Sequence, residues 1–166
     1  MTKLKLNLQI ILIIELIVLL CLGHGVNANG QATNISADYH IETESKVLQL
    51  RKKGNWFKAF NGCTAKRMNL VSLDTKEKTE ALTTELKKVF GNDHPNIWIG
   101  GNDNKKNREF IWMTANKAFG YTNWAPGQPD NKHGVEHCVM LWENHNYRWN
   151  DGNCLAKLAY VCEKRN

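Results

Sequence analysis

The cysteines constrain the fold of this chain more than any other feature of its 166 residues. There are five, and Cys21 lies in an N-terminal apolar stretch that is typical of a removable secretion signal. The other four are Cys63, Cys138, Cys154 and Cys162. An even set of cysteines in a secreted chain predicts disulfides, here two, and counting alone leaves three pairings open.

The N-terminal segment predicts export. Basic residues precede an apolar run at 6–22, and the small residues around Ala28 suit a signal peptidase. A retained membrane anchor is the alternative, but a span needs about 20 apolar residues and Glu15 interrupts a shorter run. We predict that residues 1–28 are a signal peptide and that the mature protein is secreted and extracellular.

A lead-in and one folded domain are predicted to follow the signal peptide. Residues 29–45 are polar and lack a hydrophobic period, which indicates a flexible lead-in. This stretch carries an N-glycosylation acceptor at Asn34, although a chance sequon that is never used fits the sequence equally well. The folded domain is expected to span 46–166.

The hydrophobic pattern of 46–90 predicts a strand and two helices. Lys46 to Leu50 alternates like a strand, Asn55 is placed to cap a first helix, and a second helix is expected from Asp74 or Thr75 to Phe90. The apolar face predicted for the first helix is Trp56, Phe57, Phe60, Cys63, Ala65 and Met68. The buried stripe predicted for the second is Ala81, Leu82, Leu86, Val89 and Phe90.

Short strands and long connections are predicted after Pro95. Apolar runs at 97–99, 110–113, 138–142 and 158–162 are typical of strands, so the whole domain is expected to be α+β. The stretch 114–135 is rich in Asn, Gly and Pro. A long irregular connection inside a compact domain indicates a functional loop.

Oxygen-bearing side chains form two short clusters near the end of the chain. They are Gln128, Asp130 and Glu136 in the first cluster, and Asn150 and Asp151 in the second. A disulfide between Cys138 and Cys154 would bring the two clusters together. Calcium takes six to eight oxygen ligands, whereas softer metals prefer His and Cys. The pattern therefore predicts a Ca²⁺ site.

The order and spacing of these motifs resemble a C-type lectin domain over about 46–164. The resemblance rests on Trp98-Ile99-Gly100-Gly101, Tyr121-Thr122-Asn123-Trp124, Gln128-Pro129-Asp130, Glu136-His137-Cys138, Trp149-Asn150-Asp151-Gly152-Asn153-Cys154 and Tyr160-Val161-Cys162-Glu163. The four-cysteine format with a signal is similar to that of single-domain secreted insect lectins. It implies two helices, small antiparallel sheets and a long calcium-binding loop. The implied disulfides are Cys63–Cys162 and Cys138–Cys154.

The same resemblance implies which residues hold the metal and the sugar. In the family, the principal calcium is held by the first and third residues of the tripeptide, the Glu before the cysteine, and the Asn-Asp pair. Here these are Gln128, Asp130, Glu136, Asn150 and Asp151, with the Asp151 carbonyl as a further donor. Pro129 is implied to follow a cis peptide bond. Two neighbouring sugar hydroxyls would coordinate the ion and hydrogen-bond to the same side chains.

The tripeptide also implies a sugar preference. Gln-Pro-Asp is associated in the family with galactose and N-acetylgalactosamine, and Glu-Pro-Asn with mannose. Galactose-type relatives often carry a tryptophan after the tripeptide, which this chain lacks. His133 or Tyr147 is left as a candidate stacking group, although packing or a plain surface position fits Tyr147 equally well. We therefore expect galactose-type binding with loose selectivity.

A second, auxiliary calcium is expected to be unimportant. Asp103 and Glu136 fit the family pattern for it, but Asn107, Asn131 and His137 stand where acids are usual. Fewer negative charges bind calcium more weakly. We therefore expect one functional ion.

Enzymatic interpretations are weaker. The stretch 133–137 matches the H-x-x-E-H zinc protease pattern, which needs a helix that Gly134 disfavours. A glycosidase acid pair among Asp130, Glu136 and Asp151 conflicts with their use as calcium ligands. The serious alternative is a C-type lectin-like domain that binds a protein or another non-sugar surface, but all five calcium ligands are retained.

The charge pattern bears on partners. The formal net charge is +6, spread over small groups without the aromatic interleaving of nucleic-acid binders, so neither nucleic-acid binding nor membrane insertion is predicted. A single shallow sugar site binds near the millimolar range, about −4 kcal/mol. Capture of a microbial surface would then need several sites, which predicts a homo-oligomer or surface clustering. We predict a secreted lectin of innate immunity that recognises microbial or cell-surface glycans.

Overall fold

The computed structural model describes residues 25–26, 32–33, 40–42, 46–90, 95–103 and 108–165. The chain divides into two compact units, Met1–Asp38 and Tyr39–Asn166. In the first unit, strands β1 (Gly25–Val26) and β2 (Ala32–Thr33) pair antiparallel. The apolar run of the signal prediction and the Asn34 sequon lie outside the described residues, so the boundaries at 28 and 45 stay predictions.

The second unit has an α+β fold, as predicted. Its helices are α1 (Trp56–Thr64) and α2 (Lys76–Phe90). Its strands are β3 (His40–Glu42), β4 (Lys46–Gly54), β5 (Met68–Leu70), β6 (Ile97–Asn102), β7 (Ile111–Trp112), β8 (Lys117–Ala118), β9 (Glu136–Trp142), β10 (Arg148–Asn153) and β11 (Leu158–Lys164). Within the described part of the chain, neither helix is long and apolar enough to cross a membrane.

The strands join in one nine-stranded sheet with the order β10-β9-β6-β11-β4-β3. Strand β5 pairs with β11, and β7 lies between β6 and β8. The pairs are antiparallel except for β6 and β11, which run parallel. This differs from the small antiparallel sheets that the resemblance implied. A parallel pair needs a long crossover between its strands, and here that connection contains the whole candidate binding loop.

Helix α1 begins as predicted and ends earlier than its apolar pattern indicates. The Asn55 side chain accepts a hydrogen bond from the N–H of Lys58 at 2.9 Å, which caps the first turn. Trp56, Ala59 and Cys63 are buried, but Phe57 is 50% exposed. Met68 belongs to β5 rather than to the helix. Its buried side chain packs in the same core cluster as Trp56, Ala59 and Cys63, but from a strand and not from the helix.

Helix α2 buries a different stripe from the predicted one. Leu82 and Leu86 are buried as expected, whereas Ala81 and Val89 are exposed. Thr79 completes the stripe at a helical spacing from Leu82 and Leu86. Its hydroxyl donates to the Thr75 carbonyl at 3.1 Å, so the polar side chain is satisfied inside the protein.

Both implied disulfides are present. Cys63 and Cys162 join α1 to β11 across 99 residues, with their Cα atoms 5.5 Å apart. Cys138 and Cys154 join β9 to the residue that follows β10, with their Cα atoms 5.2 Å apart. The first bond ties the first helix of the second unit to its last strand. The second closes the segment that carries the two oxygen clusters.

Candidate metal centre

Strand β10 is held by the long loop that precedes β9. The N–H of Trp149 donates to the carbonyl of Asn123, and the N–H of Ala125 donates to the carbonyl of Trp149, both at 2.8 Å. The Trp149 ring is fully buried and meets the rings of Tyr121 and Trp124 edge to face. The loop aromatics thereby fix the strand that carries Asn150 and Asp151.

Three carboxylates converge where this loop meets β9 and β10. Asp130, Glu136 and Asp151 each offer an oxygen, and these oxygens lie within 4.8 Å of one another. Asp130 is exposed, Glu136 is partly buried, and Asp151 is fully buried. Like charges so close repel each other, so a cation among them would lower the energy of the group.

Backbone N–H groups of the loop orient these carboxylates. The N–H groups of Asp130 and Asn131 donate to the two oxygens of Asp151 at 3.1 and 2.9 Å. The N–H of Lys132 lies 3.2 Å from an Asp130 oxygen and 3.1 Å from a Glu136 oxygen. These hydrogen bonds hold the three carboxylates close together.

Gln128 contacts the loop that carries Asp130, whereas Asn150 is buried on β10 in the position before Asp151. The Gln128-Pro129 peptide bond is cis, as implied, and the Gln128 Oε1 accepts from the N–H of Asp130 at 3.2 Å. Asn150 is 8% exposed, and among the described residues no donor reaches its Oδ1. A buried oxygen without a partner costs about 1–3 kcal/mol. A bound cation would remove that cost.

The electrostatics of Glu136 reflect this crowding. Burial raises the pKa of its carboxyl, and the nearby carboxylates of Asp151 and Asp130 raise it further. The N–H of Lys132 opposes the shift by donating to the ionised form. The pKa of Glu136 is raised in total, so its carboxyl binds a proton more readily than that of an ordinary glutamate.

The donor set fits a hard cation. Three carboxylates, an unsatisfied amide oxygen and a second amide are the ligands that Ca²⁺ prefers. Residues that would hold the ion are Gln128, Asp130, Glu136, Asn150 and Asp151. The zinc protease interpretation fails on geometry, since His133 lies in a 3₁₀ turn (Lys132–Gly134) and His137 in β9. No helix places the two rings on one face.

One of the two expected stacking groups is ruled out. Tyr147 is 1% exposed and belongs to the main hydrophobic core, and burial raises the pKa of its phenol to about 12. It therefore cannot stack on a sugar at the surface. His133 is exposed in the turn beside Asp130 and keeps that role as a prediction.

The contacts of Arg108 are not predicted by the sequence. Its guanidinium contacts the carboxylates of Asp103 and Asp151 at 3.2 and 2.5 Å and donates to the Glu136 carbonyl at 2.7 Å. Arg108 follows a basic run at 105–106 that resembles a solvated face. Spacing along the chain offered no signal, because Asp151 lies 43 positions away.

Several residues of the auxiliary pattern have other partners. Asp103 accepts from Arg108 and also meets the Nδ1 of His137 at 3.0 Å. The Asn131 side-chain oxygen accepts from the N–H of Glu136 at 3.0 Å. Asn107 lies outside the described residues. The expectation of a single functional ion stays a prediction.

Comparison with known proteins decides the family. The model of the Lectin C-type domain matches residues 52–164, the part of the chain that holds both disulfides and all five proposed ligands. The chain is a member of the C-type lectin family. This membership makes it a lectin-type domain and not an enzyme.

Relatives of this lectin domain include insect and fish proteins. It is 36% identical over 132 residues to lectin subunit alpha of Sarcophaga peregrina, covering 76% of this chain but 44% of that protein. It is 34% identical to salivary C-type lectin 2 of Aedes albopictus, covering 79% of this chain and 91% of the relative. It is 29% identical to the galactose-specific lectin nattectin of Thalassophryne nattereri, covering 86% and 89%.

Solved structures support the same fold. The lectin domain matches the carbohydrate-recognition domain of the mouse scavenger receptor C-type lectin with a TM-score of 0.64 and 27% identity. The match covers 77% of this chain and 94% of that domain. The C-type lectin-like fold that the resemblance implied is therefore confirmed.

Proposed function

We propose that this protein is a secreted, calcium-dependent lectin that binds galactose-type or N-acetylgalactosamine-type glycans. One observation carries the proposal: oxygens of Asp130, Glu136 and Asp151 lie within 4.8 Å of one another. The Oδ1 of Asn150, the residue before Asp151, is buried without a hydrogen-bond partner among the described residues, which adds to this support. Carboxylate and amide oxygens are the ligands that Ca²⁺ takes in proteins.

The proposed recognition uses the same side chains twice. When bound, calcium would supply coordination positions for two neighbouring hydroxyls of a sugar. The ionised carboxylates of Asp130 and Glu136 can only accept hydrogen bonds, whereas the amides of Gln128 and Asn150 can also donate them. The distribution of acids and amides around the ion therefore selects the hydroxyl geometry that fits.

The Gln128-Pro129-Asp130 order supports the galactose-type preference. The amide stands before the cis bond and the acid after it. Nattectin, a relative that aligns over most of the chain, is named galactose-specific, which supports the same assignment. The exposed His133 is the remaining candidate to stack on a sugar face, so we expect looser selectivity than a tryptophan would confer.

The direct test is retention on galactose-agarose in calcium followed by elution with a chelator. We expect Glu136→Gln to lose retention, because it removes one of three converging charges and weakens calcium binding at least about tenfold. Glu77→Gln, at an exposed position of α2, is the matched control and should bind like wild type. Retention of Glu136→Gln in calcium would contradict the proposed site.

Sugar preference can be tested by exchanging the acid and the amide. In a Gln128→Glu, Asp130→Asn double variant the donor and acceptor positions are reversed while the composition of the site is kept. We expect the ratio of galactose to mannose affinity to change by at least about tenfold, or 1.4 kcal/mol. An unchanged ratio in a competition assay would reject the galactose-type assignment while leaving calcium binding intact.

The biological role follows from this class of ligand. We propose that the protein acts outside the cell in innate immunity by recognising microbial or cell-surface glycans. The salivary name of the Aedes relative supports an exported protein. A glycan array probed with and without calcium tests the role, and the absence of binding to any microbial glycan would count against it.

Binding of a protein or another non-sugar ligand is the second candidate function. Its support is a cavity of about 290 Å³ that includes the exposed apolar side chains of Phe57, Val135 and Leu155. Val135 directly precedes Glu136, so this apolar surface borders the proposed metal site. Capture of a ligand that persists in chelator would favour this function.

A further inference from the structure

We infer that the Arg108 guanidinium is a built-in cation that positions the metal ligands, at a place where Asp103, Glu136 and Asp151 would otherwise hold a second divalent ion. The inference deepens the proposed function and rests on it for the identity of the ligands. Arg108 is assigned here as a positioning residue that acts through Asp151 and the backbone of Glu136.

The contacts of Arg108 define the position. Nη1 lies 3.2 Å from the Asp103 Oδ2 and donates to the Glu136 carbonyl at 2.7 Å. Nη2 lies 2.5 Å from the Asp151 Oδ2. Two carboxylates and one carbonyl thus surround a single positive group, and these are the same oxygen types that a hard divalent ion would take.

Burial explains why a cation is needed there. Asp103 and Asp151 are 1% and 0% exposed, and two negative charges so deeply buried are costly unless a positive charge accompanies their hydrogen bonds. The Arg108 side chain is 30% exposed, so it lies at the surface and reaches inward to the two buried carboxylates. A planar guanidinium presents several donors in a fixed fork, which suits three separate acceptors.

The local conformation of Arg108 is shaped by these contacts. Its φ is 62°, in the left-handed region that non-glycine residues seldom adopt. Its Cζ lies 5.1 Å from the centre of the Phe110 ring, which supports the guanidinium from one side. An unfavourable backbone conformation persists where the surrounding contacts outweigh its cost.

These contacts act on two of the proposed calcium ligands. Asp151 uses one oxygen to meet Arg108, and its other oxygen accepts from the N–H of Asp130. The hydrogen bond to the Glu136 carbonyl holds the backbone from which the Glu136 side chain projects. Because the charge is covalently attached, this arrangement needs no second ion.

The test compares wild type with Arg108→Gln. Arg148→Gln, at an exposed arginine of β10, is the matched control. Thermal unfolding is followed in chelator and in millimolar calcium, and the number of bound ions is measured by calorimetry. In chelator we expect Arg108→Gln to lower the midpoint by at least about 5 °C, because two buried carboxylates lose the positive charge that they share and keep only their other contacts.

Calcium should reverse this loss if the guanidinium stands in for an ion. We expect Arg108→Gln to gain more thermal stability from calcium than the wild type or the control, and to bind two ions where the wild type binds one. An unchanged midpoint in chelator would overturn the inference, and so would a loss that calcium reverses no better than in the control. A purely structural role would lower the midpoint without changing the number of ions.

Two further outcomes are separable. If Arg108→Gln does not fold in either condition, Arg108→Lys restores the charge and should fold in chelator; failure of that variant too would overturn the inference. If wild type binds no calcium, the proposed function falls. The unfolding midpoints of wild type and Arg108→Gln in chelator do not depend on calcium. They still show whether Arg108 stabilises the two carboxylates.

Discussion

At the scale of single residues, the candidate site is built from short polar contacts within one loop. The N–H groups of Asp130, Asn131 and Lys132 all point at carboxylates of the site. These hydrogen bonds hold three carboxylates close to one another. The Oδ1 of Asn150 is also energetically unfavourable, because it is a buried acceptor without a hydrogen-bond partner among the described residues.

Calcium affinity is expected to fall in acid. The ion binds the ionised form of Glu136, whose pKa is raised by burial and by the Asp151 and Asp130 carboxylates. Protons therefore begin to compete at a higher pH than at an ordinary glutamate, and affinity should drop by up to about tenfold per pH unit below that pKa. Calorimetry between pH 7.5 and 4.5 checks this, with circular dichroism as the control for folding. A flat profile would reject the prediction.

Gly100 is expected to be intolerant of a side chain. A Cβ there would lie 2.8 Å from the Leu70 carbonyl oxygen and 3.1 Å from that of Val71, to which Gly100 also donates a hydrogen bond. Gly100→Ala should lower the free energy of unfolding by about 1–3 kcal/mol. Gly120→Ala, where nothing lies within 4 Å, should stay within about 0.5 kcal/mol of wild type. Chemical denaturation measures both, and equal losses would contradict the packing argument.

At the scale of elements, β9 and β10 form the frame of the site. They pair antiparallel, with Asn150 opposite Met140 and Asp151 opposite Val139. The disulfide of Cys138 lies at the end of this pairing, and the Asn102 side chain donates to its sulfur at 2.9 Å. Strand β6 therefore supports the frame from the other side. Register and disulfide together bring the second cluster of ligands to the first.

The two disulfides should have separable effects. The loop of 99 residues closed by Cys63 is worth about 4–5 kcal/mol, and the loop of 16 closed by Cys138 about 3 kcal/mol. Replacing Cys63 and Cys162 by Ser should prevent stable folding at 37 °C. Replacing Cys138 and Cys154 by Ser should leave much of the secondary structure but abolish sugar binding. Circular dichroism and galactose-agarose retention separate the two, and full binding without Cys138 would refute the bracing role.

At the scale of the whole molecule, the binding loop is part of the folded unit. Its aromatic side chains pack against Trp149 and Trp112, which belong to the main core with β6 and β9 residues. Binding of an ion at the surface of this core should therefore stabilise the entire second unit, Tyr39–Asn166, and not only the loop.

We expect calcium to raise the thermal unfolding midpoint. A ligand at 100 times its dissociation constant adds about 2.7 kcal/mol to the free energy of unfolding. For a domain of this size that corresponds to a rise of about 5–15 °C. Glu136→Gln should lose most of the gain, while magnesium should give less because it demands stricter geometry. Differential scanning calorimetry checks both, and equal midpoints with and without calcium would argue against the site.

Much of the fold could be predicted from sequence, and the five proposed calcium ligands are the five that the sequence predicts. Asn55 predicts the start of α1, and the apolar runs predict β6, β9 and β11. The Gln128-Pro129-Asp130 motif predicts the position of the binding loop. These features are local: a cap, an alternation or a tripeptide needs only neighbouring residues to express its preference. The two disulfide pairings needed the family resemblance, because cysteine counting left three choices.

Only the tertiary structure decided the remaining features. The exposure of Phe57, the burial of Tyr147 and the parallel pairing of β6 with β11 depend on how distant segments close around the core. The same holds for Arg108, whose acceptors Glu136 and Asp151 lie 28 and 43 positions away. Sequence by itself determined which chemical groups the site contains. Their charge balance was decided by folding, because Coulomb interactions depend on distance through space and not on distance along the chain.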